Sequence, residues 1–416
     1  MSGMNFLERL LDGVVVEWKP LWQVTTWDKR FNAVDRNKQP NVINYSYLLA
    51  ADLFKLERGS GDVFLLSTGE RTGWTTEELA GSYLREGEVI TIPWGKSRPV
   101  MDVLKYYKGR FVTADNRIAT SNDIGKLLNK YLYYWMLKQS LVIDGFYRGS
   151  GIKHPSMADV LDMQIPIPPL KIQAEIVRIL DTFTALTAEL TAELSDRKKQ
   201  YEYYRDRLLT FGDEVPVMQL SQCCVSIADG DHQAPPQTNI GIPFITISNV
   251  SNSYQIDFTN TKFVSEAYYS ELDDKRKARK NDILYTVVGS FGIPVFIDDN
   301  RKFTFQRHIA ILRPNGNVIL PKYLYHVLRS SDFLKQAYAV AVGAAQKTIT
   351  LTALNRMKVP VPSLEEQARI IAILDKFDTL THSISEGLPR EIALRQKQYE
   401  YYRDLLLSFP PPLTPP

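Results

Sequence analysis

The chain has 416 residues, 44% apolar and 23% charged, and its 50 basic and 47 acidic side chains leave a formal net charge of +3. That apolar content supports more than one ordinary core, and the near balance of charge neither requires nor forbids a polyanionic partner, since local patches govern such binding. No run of 18 apolar residues occurs, which excludes a helical membrane span.

The opening Met1 to Leu10 has no basic stretch ahead of an apolar one, so no secretory signal is visible. Residues 1–12 read as a short helical segment, because Phe6-Leu7-Glu8-Arg9-Leu10-Leu11 resembles Tyr204-Arg205-Asp206-Arg207-Leu208-Leu209. A first globular region follows at 13–164, with strands expected over 14–21, 62–66 and 88–92 and a helix over 130–137.

At 165–211 the pattern changes. Behind Pro166, Pro168 and Pro169, apolar residues step by fours and threes through Ile172, Ile176, Ile179, Phe183, Leu186 and Leu190, the spacing of a coiled-coil seam. Thr187-Ala188-Glu189-Leu190 then repeats as Thr191-Ala192-Glu193-Leu194. The extra step of four is a stutter, which unwinds a supercoil locally without ending the helix. The seam resumes through Arg197, Tyr201, Tyr204 and Leu208, predicting a helix of about forty residues, roughly 60 Å long.

A second globular region at 212–358 has strands expected over 242–247 and 282–286 and a helix over 322–328. Its Cys223 and Cys224 are adjacent and form neither an ordinary disulfide nor a zinc site, so a reducing, cytoplasmic setting is expected. A second helical connector spans 359–409, behind Pro360 and Pro362, with seam positions Ile370, Ile373, Phe377, Leu380 and Ile384, then Arg395, Tyr399, Tyr402 and Leu406. Gly387-Leu388-Pro389 predicts a break or kink near Gly387, because glycine suits a helix end and proline a first turn. Residues 410–416 are a Pro-rich tail.

The chain is an internal duplication. Gln200-Tyr201-Glu202-Tyr203-Tyr204-Arg205-Asp206 recurs unchanged at 398–404, a separation of 198, and 165–186 matches 359–380 at 11 of 22 positions with an offset of 194. Lys130-Tyr131-Leu132-Tyr133 and Lys322-Tyr323-Leu324-Tyr325 also correspond, although the globular regions otherwise match only faintly. Two α/β units of shared ancestry, separated by two long helices, predict an α+β chain with a pseudo-two-fold internal repeat. Equivalent placement of the units about that axis requires the helices to pack as an antiparallel coiled coil.

No catalytic chemistry is legible. Gly95-Lys96-Ser97 ends like a phosphate-binding loop, but Ile90 stands where its first glycine belongs. Asp12 with Glu17-Trp18-Lys19 mimics a nuclease site without a counterpart in the repeat. Pro235-Pro236 lacks the flanks of an adenine-methylation motif, Gly289-Ser290-Phe291-Gly292 reads as a turn, and His154, His232, His308, His326 and His382 show no metal-ligand spacing. No cofactor or metal is expected on this chain.

Reading duplex DNA requires polar side chains on a fold positioned by phosphate contacts. Candidates in the first region are Lys96, Arg98, Asn116, Arg117, Lys153 and His154; in the second they are Lys275, Arg276 and Lys277 of the basic run 275–280, then Gln306, Arg307, His308, Gln346 and Lys347. Lys153 and Lys347 stand 194 apart, the connector offset, which suits a phosphate contact common to both halves.

The whole chain resembles the specificity subunit of type I restriction-modification systems, closest to the type IC branch, in the tandem Thr187 to Leu194, the two Gln-Tyr-Glu-Tyr-Tyr-Arg-Asp blocks, the Leu10-Leu11-Asp12-Gly13 start and Glu386 to Arg390. The resemblance implies two target-recognition domains, each reading half of a bipartite double-stranded DNA site, and helices that set the spacer between the halves. It implies a non-catalytic subunit docking two modification subunits, which methylate adenine with S-adenosylmethionine, and restriction subunits that use ATP and Mg. Thr187, Leu190, Thr191 and Leu194 would set the spacer, and Tyr201, Tyr204, Tyr399 and Tyr402 would serve the helix pair or its partners. A coiled-coil scaffold that reads no DNA is the alternative.

Overall fold

The structure is a computed structural model and describes residues 10, 14, 16–95, 98–231, 233–250, 254–344, 346–383 and 385–410. Most of the expected N-terminal helix, Lys96, His232, Ile384 and the tail past Pro410 lie outside that set. The chain divides into two compact units, 1–187 with 395–416, and 188–394. Each unit therefore combines one globular region with half of each connector.

In the first unit a six-stranded sheet runs in the order Thr25–Trp27, Asn116–Ser121, Arg85–Pro93, Lys105–Thr113, Val63–Leu66, Gly73–Thr75. Only Val63–Leu66 beside Lys105–Thr113 pairs in parallel. Helix Asn129–Lys138 buries Tyr131, Leu132, Trp135 and Met136 against Ile90, Ile92 and Ala119. Their spacing places them on one face, as a core helix requires. The segments that enter and leave the region, Glu17–Pro20 and Gln164–Ile167, close it as an antiparallel pair.

Helix Leu170–Leu208 then runs 39 residues without interruption, through the tandem four-residue repeat. Its first turns bury Ile172, Ile176 and Leu180 in the core of the first unit. Gln173 is fully buried: its Oε1 accepts from Leu128 N (2.9 Å), and its Nε2 donates to Lys126 O and Pro168 O (2.7 Å each). The amide thereby satisfies a backbone donor at the start of the core helix, which no intrahelical carbonyl reaches. Asp181, two turns on, accepts from Lys130 Nζ (2.8 Å) and Tyr134 Oη (2.6 Å) of the same helix.

The second unit repeats this scheme on a divided sheet. Cys224–Asp229, Ile309–Pro314, Ile283–Thr286 and Pro294–Phe296 form one layer; Lys262–Val264, Ile242–Ile245 and Thr304–Phe305 form another. Val217–Gln219 and Lys358–Pro360 close the region, as the corresponding pair does in the first unit. Helix Pro321–Leu328 is docked by Gln367, also fully buried, which accepts from Leu320 N (2.7 Å) and donates to Val318 O (3.2 Å) and Pro362 O (2.9 Å). Asp375 meets His326 Nε2 at 2.8 Å and Lys322 Nζ at 3.8 Å. Gln173 and Gln367, like Asp181 and Asp375, are separated by 194 residues. The repeat thus preserves the joint between helix and domain, not merely the helix.

The second connector breaks where expected, into helices Leu364–His382 and Gly387–Leu406. Gly387 has φ 74°, and a Cβ there would sit 2.4 Å from Thr379 O, so the return of the chain against the preceding helix requires glycine. Connector contacts within the units follow the repeat. Phe183 stacks on Tyr402 in the first (5.3 Å), and Phe377 on Tyr204 in the second (5.6 Å). An early residue of one connector meets a late residue of the other in both cases, so the helices pair antiparallel.

The seam differs from its expected form. Ile179, Phe183, Leu186, Leu190 and Leu194 are only half-buried, whereas Gln173 and Leu180, which lie off the seam, are buried. A two-helix contact leaves its flanks in water, and complete burial occurs only where a globular region also covers the helix.

Candidate nucleic-acid interface

In both units several of the candidate residues meet at the end of one central strand. The strand Arg85–Pro93 lies beside Asn116–Ser121, with Pro93 opposite Asn116 and Ile92 opposite Arg117. On the other side, hairpin strands Tyr147–Arg148 and His154–Pro155 approach it: Tyr147 Oη donates to Pro93 O (2.8 Å), and His154 Nδ1 lies 2.9 Å from Trp94 O. The His154 ring rests on the Trp94 indole at 4.3 Å, and the Arg117 guanidinium lies 4.1 Å from the indole ring centre. Trp94 is held by both yet remains 40% exposed.

The second unit has the same layout at the end of Ile283–Thr286. Val287 N donates to His308 O (2.9 Å) on one side; Gly289 N donates to Lys347 O (3.1 Å) and Ile349 N donates to Val287 O (2.8 Å) on the other. Gln306 Nε2 lies 3.2 Å from His308 Nδ1. Burial, followed by the Arg307 charge, lowers the His308 pKa, favouring a neutral ring with acceptor capacity. The Gly289-to-Gly292 segment is a turn, as expected, with φ of 73° and 90° at its two glycines.

Not all candidates face outward. Asn116 is buried, with Nδ2 donating to Leu66 O (2.9 Å) and Thr113 Oγ1 (3.2 Å), and Arg117 is buried against Asp115 (3.1 Å). Both fix the strand end and the indole and do not project from it. Arg98 is exposed and paired with Glu70. The basic run folds into a turn that neutralises much of its own charge. Lys275 meets Asp273 (3.3 Å), Arg276 lies 3.6 Å from both Asp229 and Asp231, and Lys277 Nζ donates to Ser270 O (2.9 Å). Arg313 holds the turn's Asp274 O (3.4 Å) and Lys277 O (2.9 Å) beside Asp282, at the start of Ile283–Thr286, while the Arg276 side chain reaches toward Asp231, whose O accepts from Arg307 N (3.1 Å). Lys153, Arg307, Gln346 and Lys347 are exposed.

The tyrosines of the duplicated block separate into three environments. Tyr201 is buried, its hydroxyl 3.2 Å from His326 Nδ1, and Tyr399 is partly buried. Tyr204 and Tyr402 are the residues stacked on Phe377 and Phe183. Tyr203 and Tyr401, which heptad position did not single out, are 59% and 64% exposed, each edge-on to its neighbouring tyrosine. Among the described residues, no helix is long and apolar enough to cross a membrane.

Comparison with known proteins agrees with this duplicated architecture. The family model "Type I restriction modification DNA specificity domain" matches residues 50–197 and again 231–394. The chain is 36% identical to the Escherichia coli EcoR124I/EcoR124II specificity subunit, over 100% of this chain and 99% of that one. It is 32% identical to a putative type I restriction enzyme specificity subunit of Haemophilus influenzae, over 98% and 99%. The type I S subunit structure from M. genitalium shares the fold, with a TM-score of 0.58 at 16% identity, covering 96% of this chain and 98% of that one. With the family domain matched twice and whole-length relatives above the level at which family membership is in question, the chain belongs to the type I restriction-modification DNA specificity subunits.

Proposed function

We propose that this specificity subunit reads a bipartite DNA target, one half-site with each globular region, while the antiparallel helices set the unread spacer. The observation that supports this most strongly is the contrast within the repeat: the joints Gln173/Asp181 and Gln367/Asp375 recur, while the side chains around the central strand ends differ. A common mount carrying different readers suits two unlike half-sites. Arg98, Lys153, His154, Lys275, Arg276, Lys277, Gln306, Arg307, His308, Gln346 and Lys347 are the proposed contacts, with Asn116 and Arg117 positioning them.

Type I specificity subunits are non-catalytic. In the proposed complex, two modification subunits supply adenine methylation with S-adenosylmethionine, and restriction subunits supply ATP- and Mg-dependent cleavage. Tyr203 and Tyr401, identical in sequence and alike in exposure, are the proposed anchors for one modification subunit each, since exposed aromatics commonly carry interface energy.

Co-expression with the cognate modification subunit, followed by mapping of N6-methyladenine across the host genome, tests the proposal. Methylation at a split motif with a constant gap is expected, and it should be lost together with the co-purifying subunit in the Tyr203→Ala/Tyr401→Ala chain. A stable complex without new methylation would favour the DNA-independent scaffold.

A further inference from the structure

The hairpin tips beside the two central strands place a different side chain on the same backbone device. In the first unit the tip is 149–153, between Tyr147–Arg148 and His154–Pro155. In the second, Val342 and Thr348 exchange backbone hydrogen bonds of 2.9 and 2.8 Å, with Gly343, Gln346 and Lys347 between them. Gly149 and Gly343 open the tips with φ of 133° and 111°. A Cβ on Gly149 would lie 3.1 Å from Ile152 O, and one on Gly343 only 2.4 Å from Gln346 O. Both turns therefore require glycine for the same reason.

Across from each tip stands another glycine. The space that a Cβ of Gly95 would need is taken by Ile152, whose Cγ2 lies 2.5 Å from that ideal position; at Gly289 the corresponding neighbour is Gln346 Nε2, at 3.3 Å. The four pairs Gly95/Gly289, Gly149/Gly343, Ile152/Gln346 and Lys153/Lys347 all share the offset of 194. Three of them keep their residue and one does not. The changed residue is also the one least explained by the interior: Ile152 is 70% exposed, and Gln346 is exposed too. An isoleucine left in water at the tip of a turn, next to a lysine, gains little from the fold it belongs to.

Resting on the reading that duplex DNA is the partner, we propose that positions 152 and 346 are one specificity-determining position used twice. In each half-site the lysine that follows contacts a phosphate and fixes register, a role that carries no sequence information and is common to both copies. The preceding residue meets a base edge in the major groove. Ile152 makes an apolar contact with a thymine methyl group, and the Gln346 amide pairs with N6 and N7 of an adenine. Gly95 and Gly289 allow each side chain to lie against backbone, which restricts its motion and holds it at a fixed depth.

The test uses the complete complex with the modification subunit, reading methylated motifs and duplex binding together. Ile152→Gln is expected to alter the preferred base pair at one position of the first half-site, weakening the original motif roughly ten- to hundredfold and leaving the second half-site and spacer intact. Gln346→Ile should do the converse. Lys153→Ala and Lys347→Ala should weaken binding to all duplexes alike and flatten the salt dependence. Unchanged motifs and rates in both Ile152→Gln and Gln346→Ile would overturn the proposal. So would a loss of complex assembly with the motif unaltered, which would assign Ile152 to a protein contact. If the unsubstituted complex binds no duplex, DNA reading itself fails, an outcome distinct from an unchanged motif.

Discussion

Asp378→Ala is expected to destabilise the second unit by about 3–5 kcal/mol, the usual cost of stranding a buried charge. The charge in question is Arg329, whose side chain is 1% exposed. Its Nη1 donates to Asp378 Oδ1 and to Tyr325 Oη, and its guanidinium lies 3.9 Å from the ring centre of Tyr254 and 4.8 Å from that of Tyr201. Tyr201 belongs to the long helix, Asp378 and His382 to the penultimate one, and Tyr254 to a loop of the recognition region, so the cluster joins the three. Without the carboxylate, the arginine keeps its rings and loses its counter-charge.

The same group confers a pH dependence. Burial alone would raise the Asp378 pKa, but the His382 hydrogen bond (3.1 Å) and the Arg329 charge outweigh it and hold the carboxyl well below its usual range. Because the unfolded chain takes up the proton first as pH falls, the contribution is complete above the unfolded value of about 3.9 and is lost on acidification through the folded one. Urea unfolding should show a large gap between native chain and variant at neutral pH and a narrower gap below about pH 4. Combining Arg329→Met with Asp378→Ala should recover much of the loss, as removing both charges leaves nothing stranded. A loss under about 1 kcal/mol, too small for the stranded charge, or no recovery in the double variant, would contradict the assignment.

Deleting Thr191 to Leu194 is expected to shorten the unread spacer by one or two base pairs while leaving both half-sites as they were. The deletion removes four residues from an uninterrupted helix, about 6 Å of rise and a little more than one turn. Duplex DNA rises about 3.4 Å per base pair along each strand. Thr191 is exposed and Leu190 and Leu194 are half-buried, so the segment can be removed without opening either core. Duplicating the segment should lengthen the gap by the same amount. Methylation mapping reads the result, and a constant spacer across the three lengths would refute the ruler.

The connectors were the most legible part of the sequence, because a periodic apolar stripe and an exact repeat need no tertiary information. The break at Gly387 was visible for the same reason: glycine and proline act locally. Strands over 62–66, 88–92 and 282–286 and both core helices appear where alternation and apolar spacing put them. Expected strand 14–21 is instead Glu17–Pro20 followed by the short helix Leu21–Val24. Sheet order was not legible. Glu17–Pro20 pairs with Gln164–Ile167, and Val63–Leu66 lies parallel to Lys105–Thr113, and nothing local in those segments names the partner.

Gln173 and Gln367 carry no local mark of their burial, because glutamine ordinarily reads as a surface residue; their identity within the repeat is the available signal. Asn116 and Arg117 read as outward because they are polar, yet backbone carbonyls and Asp115 satisfy them inside the fold. Ile152 is the opposite case: an apolar residue in a turn carries no sequence mark of its role, and only the fold shows its exposure.

The proposed function rests on two independent readers that sit on a common frame. Exchanging residues 212–358 for those of another specificity subunit, and mapping N6-methyladenine in cells that also carry the modification subunit, tests it most directly. A new second half-site is expected, with the first half-site and the spacer retained. A change in both half-sites, or in neither, would contradict it.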